Sequence, residues 1–301
     1  MRIGIDVGGT KIELVALDDE GAAVYRQRVA TPRGDYDATV TAIADLVDAA
    51  ERSLHCRASV GIGMPGTISP ATGVVKNANS VWLNGRAFHQ DLERALARPV
   101  RLANDANCFA LSEASDGAAA GAAIVFGVIV GTGTGGGLVV RGRPCTGANA
   151  IAGEWGHNPL PWPEDDERPG PACYCGRFGC IETYLSGPGL SQDHERATGE
   201  SLTAETIALR AARGEADAAA SLERYAGRMA RALATVINIV DPDVIVLGGG
   251  MSNVARLYTR VPEILPAFVF SDHIATRIVP PKHGDASGVR GAAWLWGRHV
   301  C

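Results

Sequence analysis

The sequence has 301 residues, 46% of them hydrophobic and 20% charged, enough apolar material for one large or two ordinary globular domains. A formal net charge of -5 offers no general attraction to DNA, RNA or an anionic membrane surface, and nowhere do about 18 apolar residues run uninterrupted, which argues against nucleic-acid and membrane-spanning roles. The chain opens directly into Arg2-Ile3-Gly4-Ile5-Asp6 with no apolar cleavable leader, and its 7 cysteines, three of them crowded into Cys173 to Cys180, suit a reducing compartment; the expectation is cytoplasmic.

Ile3 to Val7 reads as a buried strand, Gly8-Gly9-Thr10 as a turn, and Ile12 to Leu17 and Ala23 to Val29 as further strands of a β-meander. After a loop holding Pro32 and Gly34, Val40, Ile43, Val47 and Ala50 recur at helical spacing and predict an amphipathic helix over Asp37 to Arg52. Val60 to Met64 is a short buried strand ending at Pro65-Gly66. Pro99 to Ala103 predicts a strand that delivers Asn104-Asp105 at its carboxyl end, with a helix following over Asn107 to Ala114. Strands that end in polar residues and run into helices imply an α/β layer architecture. The Gly- and Ala-rich Gly117 to Ala123 is the expected domain junction, because the opening theme then repeats: Ile124 to Val130, a Gly-rich turn over Gly131 to Gly137, and Leu138 to Arg141. A helix around Ala219 to Val240 precedes Asp241-Pro242-Asp243, the strand Val244 to Leu247 and the turn Gly248-Gly249-Gly250; Val289 to Trp296 reads as a final helix. The expected division is a smaller N-terminal α/β domain over 1–118, with a C-terminal helix of about 288–301 packing back on it, and a larger α/β domain over 119–287. The charge- and alanine-rich 190–225 region carries no functional signal.

Three Gly-rich turns each follow an apolar strand: Asp6-Val7-Gly8-Gly9-Thr10-Lys11, Gly131-Thr132-Gly133-Thr134, and Gly248-Gly249-Gly250. Glycine lets the backbone approach a phosphate and turn N–H groups toward it. Any one turn is as well a tight hairpin or a packing glycine; together they favour a nucleotide, with neither the P-loop nor the dinucleotide spacing. His157, Cys173, Cys175 and Cys180 supply one imidazole and three thiolates, a set that suits tetrahedral Zn²⁺. With all positions filled by protein, such an ion is structural and holds the loop between Pro159 and Cys180; the alternative is a group of buried or free thiols. Cys56, Cys108, Cys145 and Cys301 show no such grouping. Asn104-Asp105 alone is more often a turn or helix cap than a catalytic pair. Glu154 and His157 would share a face if they lie on a helix.

Asp6-x-Gly-Gly-Thr-Lys11, Asn104-Asp105-Ala106-Asn107, Gly131-Thr132-Gly133, Gly153-Glu154-x-Gly-His157, Cys173-x-Cys-Gly-x-x-Gly-Cys-x-Glu182 and Gly248-Gly249-Gly250 occur in this order and resemble the ROK family of repressors and sugar kinases, over Met1 to about Trp296. The resemblance implies an actin-like ATPase (ribonuclease H-like) fold, two domains flanking a cleft, with a structural zinc loop, and ATP-dependent sugar phosphorylation with catalytic Mg²⁺. It implies Asp105 as the base that takes the proton of the C6 hydroxyl, and Gly66, Asn79, Asn104, Glu154, His157 and Glu182 as sugar contacts; Glu182 also reads as a surface charge. Around ATP it implies Gly4, Ile5, Asp6, Val7, Gly8, Gly9, Thr10 and Lys11, then Gly131, Thr132, Gly133, Thr134, Gly135, Gly136 and Gly137, then Gly249 and Gly250. Asp6 would lie near Mg²⁺ through water, with Thr10, Lys11 and Thr132 gripping phosphate oxygens, although Lys11 also reads as a strand-edge lysine. The implied partners are a small-molecule sugar and ATP, with no nucleic acid or membrane, in a chain that forms homodimers.

Within the family, Val75 to Gly85 and Gly153 to Trp162 are most similar to bacterial fructokinase of the manno(fructo)kinase type, which implies D-fructose, and also mannose, as acceptor. The rival acceptors are N-acetylglucosamine and glucose. Repressor relatives carry an N-terminal helix-turn-helix extension, so a chain that starts beside its first phosphate strand is expected to be a kinase. A catalytically silent sugar-binding or zinc-scaffold protein is disfavoured because Asp105 and the phosphate turns are intact.

Overall fold

The computed structural model describes residues 1–297; Cys301 and the end of the expected C-terminal helix, 298–301, lie outside the described residues. The chain groups into two units, the first taking Met1–Gly121, Gly137–Ala152 and the segment from Lys282, the second Ala122–Gly136 and Gly153–Pro281. Segment 137–152, assigned to the larger domain from sequence, thus groups with the first unit. Gly137 explains why: a Cβ there would overlap the Ala106 carbonyl oxygen, so the two backbones are in direct contact.

In the first unit the chain lays down β1 (Arg2–Val7), β2 (Lys11–Leu17) and β3 (Ala23–Ala30) and crosses through α1 (Tyr36–Leu54) to β4 (Ser59–Met64). A short hairpin follows, β5 (Thr67–Ile68) with β6 (Val75–Lys76), then α2 (Phe88–Leu96), β7 (Val100–Asn104) and α3 (Asp105–Ser115). The sheet order is β3-β2-β1-β4-β7, an antiparallel meander continued by two parallel strands, and each parallel step has its crossover helix. α1 begins ahead of the predicted Asp37 because Asp35 caps it, its carboxylate accepting from Ala38 N at 2.9 Å. Its buried face, Ile43, Leu46, Val47 and Ala50, packs into the core formed by Ile3, Ile5, Leu14, Val60 and Ile62.

The second unit opens with β8 (Ile124–Val130) and the first residues of β9 (Thr134–Val140), while the rest of β9 and β10 (Arg143–Pro144) group with the first. Beyond a long loop with one-turn 3-10 helices at Trp155–His157 and Asp165–Glu167 come α4 (Ile181–Leu185), α5 (Gly187–Thr198), α6 (Ala204–Ala212), α7 (Ala216–Val240), β11 (Val244–Gly248), α8 (Leu257–Ile264) and β12 (Arg277–Val279). The second sheet runs β10-β9-β8-β11-β12, with β8, β11 and β12 parallel. The expected turn over Gly131 to Gly137 is shorter: Gly131 N donates to Gly133 O at 2.9 Å and the strand starts at Thr134. Gly136 is therefore a strand residue, small because a Cβ would stand 2.8 Å from both Gly153 O and the Trp155 ring. No described helix is long and apolar enough to cross a membrane.

The long loop is anchored by buried charge. Glu167 accepts from Arg228 Nε at 2.7 Å and from Arg231 at 2.7 and 2.8 Å, while Asp193 on α5 accepts from Arg228 at 2.8 Å and Arg224 at 2.7 and 2.9 Å. The four side chains Glu167, Asp193, Arg228 and Arg231 are nearly solvent-free, and one partner alone would be a costly buried charge. Burial would raise the Glu167 carboxyl, but hydrogen bonds from Arg231 and Arg228 outweigh it and bring it down to about 2.

The chain returns to the first unit through α9 (Ser287–Trp294). Glycines make that return possible: a Cβ at Gly4 would overlap Val289 O, one at Gly61 would overlap Ala292 O, and one at Gly291 would overlap Cys108 O. Gly4, expected near ATP, is thus a buried packing glycine beneath α9, and Ile5 is a core side chain at 0% exposure.

Because the folded Glu167 carboxyl is depressed, its stabilising contribution is present above its ordinary carboxylate range and is lost as pH falls toward about 2. Glu167→Gln should cost roughly 3–5 kcal/mol in urea unfolding at pH 7 by leaving two arginines short of charge. The gap between variant and parent should narrow from about pH 4.5 downward; a pH-independent gap would mean the cluster acts by packing alone.

Candidate active site

In the first unit the candidate residues collect at the carboxyl ends of β1, β4 and β7. β1 ends at Asp6-Val7, and the turn that follows is closed by Gly8 N donating to Lys11 O at 2.9 Å and pinned by the Thr31 hydroxyl on Gly8 O at 2.7 Å. Asp6 is half-buried and flanked by Gly63 and Gly288, where a Cβ would come into ordinary contact with its carboxylate at 3.7 or 3.8 Å. Burial, then the nearby Asp105 and Glu13, raise its carboxyl to about 6, with Lys11 opposing weakly. Thr10 is exposed. Lys11 lies on β2, an inner and not an edge strand, with its ammonium 3.6 Å from a Glu13 carboxylate that also takes Arg26 and Arg28.

β7 delivers Asn104 and Asp105 as its end and the first residue of α3. Asn104 is the helix cap, its Oδ1 accepting from Ala106 N at 2.9 Å, while its Nδ2 donates to Gly66 O at 3.2 Å. These two bonds tie the Gly66 turn to the helix start and leave the second Nδ2 hydrogen and the second Oδ1 lone pair of the amide for a ligand. Asp105 is exposed, with Oδ1 accepting from Ala106 N at 2.8 Å. Gly66, at φ +71, has no room for a side chain against Ala78 N, and Asn79 on the adjacent loop is exposed.

In the second unit, Gly131-Thr132-Gly133 follows β8 and Gly249-Gly250 follows the parallel β11. Gly249, at φ +76, lies against the Val130 backbone. Glu182, in the first turn of α4, accepts from Thr134 N at 2.8 Å, and its carboxylate would be 2.7 Å from a Cβ on Gly133. One oxygen of the expected sugar carboxylate therefore holds the turn. Glu154 precedes the 3-10 turn and is exposed; Trp155 is buried, its Nε1 donating to Gly135 O at 3.1 Å and its ring edge-on to Phe126. Gly156 packs on the Thr134 carbonyl with no room for a Cβ, which accounts for the Glu-x-Gly-His spacing.

Sequence reading found no signal in 190–225, yet α6 lies in that span. Ala204, Ala208 and Ala212 line a cavity of about 1100 Å³ together with Gly131, Thr132, Gly250 and Met251. Its wall is built from small side chains at helical spacing, a pattern that reads as ordinary amphipathicity until the Gly turns are placed opposite it.

The loop between Pro159 and Cys180 folds on itself through the Ala172–Phe178 bridge, Cys173 N to Arg177 O at 2.8 Å, and the turn at Gly176. The ligand atoms of His157, Cys173, Cys175 and Cys180 all lie within 4.8 Å of one another. Cys173 Sγ is 3.6 Å from His157 Nδ1, and Cys175 Sγ is 3.6 Å from Cys180 Sγ. A tetrahedral ion bound at ordinary Zn–S and Zn–N lengths requires ligand–ligand edges of about 3.5–3.8 Å, so donor set and spacing fit a four-coordinate metal. His157 Nε2 is 2.9 Å from the hydroxyl of the exposed Tyr174, with Nδ1 on the side of the cysteines. Burial, with the neighbouring sulfurs, pushes the Cys180 thiol up to about 12, a state that a cation would reverse.

The ROK family profile matches residues 2–299. N-acetyl-D-glucosamine kinase of Pectobacterium atrosepticum is 43% identical over 299 residues, covering 98% of each chain, and that of Photobacterium profundum is 44% identical over 299 residues, covering 98% of this chain and 99% of its own. Among solved structures, the ROK hexokinase of Thermus thermophilus superposes with a TM-score of 0.86 at 31% identity, covering 98% of this chain and 97% of that one. The narrower expectation of a fructokinase, drawn from Val75 to Gly85 and Gly153 to Trp162, is overturned by these full-length relatives: local likeness in two loops is outweighed by identity spread over the whole chain. A profile that spans residues 2–299, with full-length relatives above two-fifths identity, establishes that the chain belongs to the ROK family.

Proposed function

We propose that this protein is an ATP-dependent hexose kinase that transfers the terminal phosphoryl group of ATP to the C6 hydroxyl of N-acetyl-D-glucosamine. The observation that carries the acceptor is the 42 to 44% identity, over 299 residues, to kinases named for that sugar. The donor reading is supported by the cavity of about 1100 Å³ beside Gly131-Thr132 and Gly250, large enough for a nucleotide, and by a Streptomyces griseus ROK glucokinase of 28% identity and TM-score 0.77 whose structure holds glucose and AMPPNP.

In this reading Asp105, exposed at the start of α3, takes the acceptor hydroxyl's proton while the new O–P bond forms and the bond to the ADP oxygen breaks. The exposed Asn79 and Glu154, and the oxygen of Glu182 not engaged with Thr134, contact sugar hydroxyls. Within the first unit the amides of Gly9 and Thr10 suit phosphate oxygens, and within the second so do those of Thr132 and Gly133, the Gly8 and Gly131 amides being engaged in closing their turns. Asp6 would hold Mg²⁺ through water; its raised pKa is that of a carboxylate short of a cation. When bound, Mg²⁺ supplies neutralisation of phosphate charge. His157, Cys173, Cys175 and Cys180 would hold a structural Zn²⁺, whose binding fixes the loop that leads into Glu182.

ADP release measured with N-acetyl-D-glucosamine, D-glucose, D-mannose and D-fructose should give the highest kcat/KM for the first. A preference for another sugar would replace the acceptor, and no sugar-dependent release would remove the kinase reading. Asp105→Asn should lower kcat by about 10²–10⁴-fold while sugar still binds.

Elemental analysis should find about one zinc per chain, and Cys173→Ser should lose it. Zinc added to stripped protein at pH 7 should release protons, since Cys180 is protonated without it; stripped protein of unchanged stability would remove the structural ion.

The Asp6 carboxyl is raised in the folded state, so without a cation its contribution to stability is fully present below about pH 4 and is lost as pH rises through about 6. Asp6→Asn should remove that slope and gain roughly 3 kcal/mol over the parent at pH 7, and added Mg²⁺ with nucleotide should narrow the gap. Parallel pH curves for the two proteins would show that Asp6 is not strained.

A further inference from the structure

Ser80 is a buried hydroxyl with no assigned task. It follows Asn79 on the loop between β6 and α2 and is 2% exposed. It opens the 3-10 turn Val81–Leu83, a position where serine ordinarily folds its hydroxyl back to cap a backbone N–H, but it makes no such bond. The turn is closed instead by Leu83 N donating to the Ser80 carbonyl at 3.0 Å. Ser80 Oγ has no hydrogen-bond partner among the described residues, which is a cost for a buried hydroxyl.

Gly9 shows where the hydroxyl points. A Cβ on Gly9 would stand 3.7 Å from Ser80 Oγ and would meet no other heavy atom within 4 Å. The hydroxyl therefore lies over the open face of the Gly8-Gly9-Thr10 turn, within the same unit as Asn79 and Asp105. A hydroxyl donor beside a Gly-rich turn suits an anionic phosphoryl oxygen, and because its oxygen is shielded from solvent the contact needs a turn of the Ser80 side chain toward the open side of Gly9.

We propose that the Ser80 hydroxyl donates a hydrogen bond to the phosphoryl group in transfer, beside the backbone amides of Gly9 and Thr10. The assignment rests on the kinase reading and adds a contact made by a loop whose neighbouring residue, Asn79, faces the acceptor in that reading. A bond to the phosphoryl group that strengthens as transfer proceeds affects turnover more than sugar affinity.

The test compares the parent, Ser80→Ala and Ser80→Cys, with Ser80→Cys keeping volume and a weak donor if Ser80→Ala fails to fold. Expected for Ser80→Ala are a melting temperature at or above the parent's, since an unpartnered buried hydroxyl is removed, a kcat lower by about 10- to 100-fold, and a sugar KM within about twofold of the parent. Affinity for Mg·ADP with aluminium fluoride, which mimics the transferring group, should fall while affinity for Mg·ADP alone is retained, and Ser80→Cys should lie between. Parent-like kcat in Ser80→Ala, or a raised sugar KM at parent kcat, would overturn the proposal and leave the kinase reading intact. A parent without sugar-dependent ADP release would overturn both.

Discussion

Backbone-to-backbone contact at positions without a Cβ is the constraint on which this structure depends. β1 and β4 accept α9 only because Gly4 and Gly61 leave its carbonyls room, and α9 in turn meets α3 only because Gly291 lies on the Cys108 carbonyl. These contacts stack Asp6, at the end of β1, and Asp105, at the start of α3, on one rigid framework. Any side chain at these points would collide with main chain, which cannot turn aside as the end of a flexible side chain can. The second unit repeats the device: Gly156 lies on the Thr134 carbonyl, and Gly133 leaves space for the Glu182 carboxylate that receives Thr134 N.

Buried charge is handled in two opposite ways, and the difference separates framework from site. Glu167 and Asp193 are met by three arginines, and the Glu167 carboxyl lies well below the usual range. Asp6 is half-buried, makes no ion pair among the described residues, is near two other carboxylates, and its carboxyl lies well above that range. A satisfied cluster holds a loop to α7; an unsatisfied carboxylate at the end of a strand, flanked by glycines, retains its electrostatic cost until something positive arrives. The same contrast holds for hydroxyls and amides. Asn104 engages its amide oxygen and one amide N–H inside the protein, whereas Ser80 Oγ has no hydrogen-bond partner among the described residues.

The loop from Pro159 to Cys180 shows how one segment serves two ends. Its ion cluster is at Glu167, its four-ligand group at Cys173 to Cys180, and the residue two beyond the last ligand is the carboxylate that grips the second Gly turn. Two of the ligand–ligand separations, at 3.6 Å, are near the edges of a tetrahedral ion, and a metal held by these four side chains would have no open position for a reactant.

Much of the framework was legible in the sequence, because periodicity and turn chemistry act locally. The meander, the helical face of α1, the strand that delivers Asn104-Asp105, the three Gly turns and the spacing of four soft ligands could all be read from residue order. Local reading also had definite limits. It counted Gly131 to Gly137 as one long turn, although Thr134 already begins a strand, and it gave Gly4 and Ile5 to ATP, although both belong to the core. It took two loop stretches as a guide to the acceptor, which is set by pocket shape and a few hydrogen bonds and not by any one segment. By itself the sequence determined the fold class, the family and the inventory of chemical groups, since these follow from pattern and residue type. Only the tertiary structure decided which glycines pack and which face open space, which carboxylates are paired, and that an alanine-rich helix without a motif lines a cavity beside the Gly turns, because those depend on what lies opposite each residue in space.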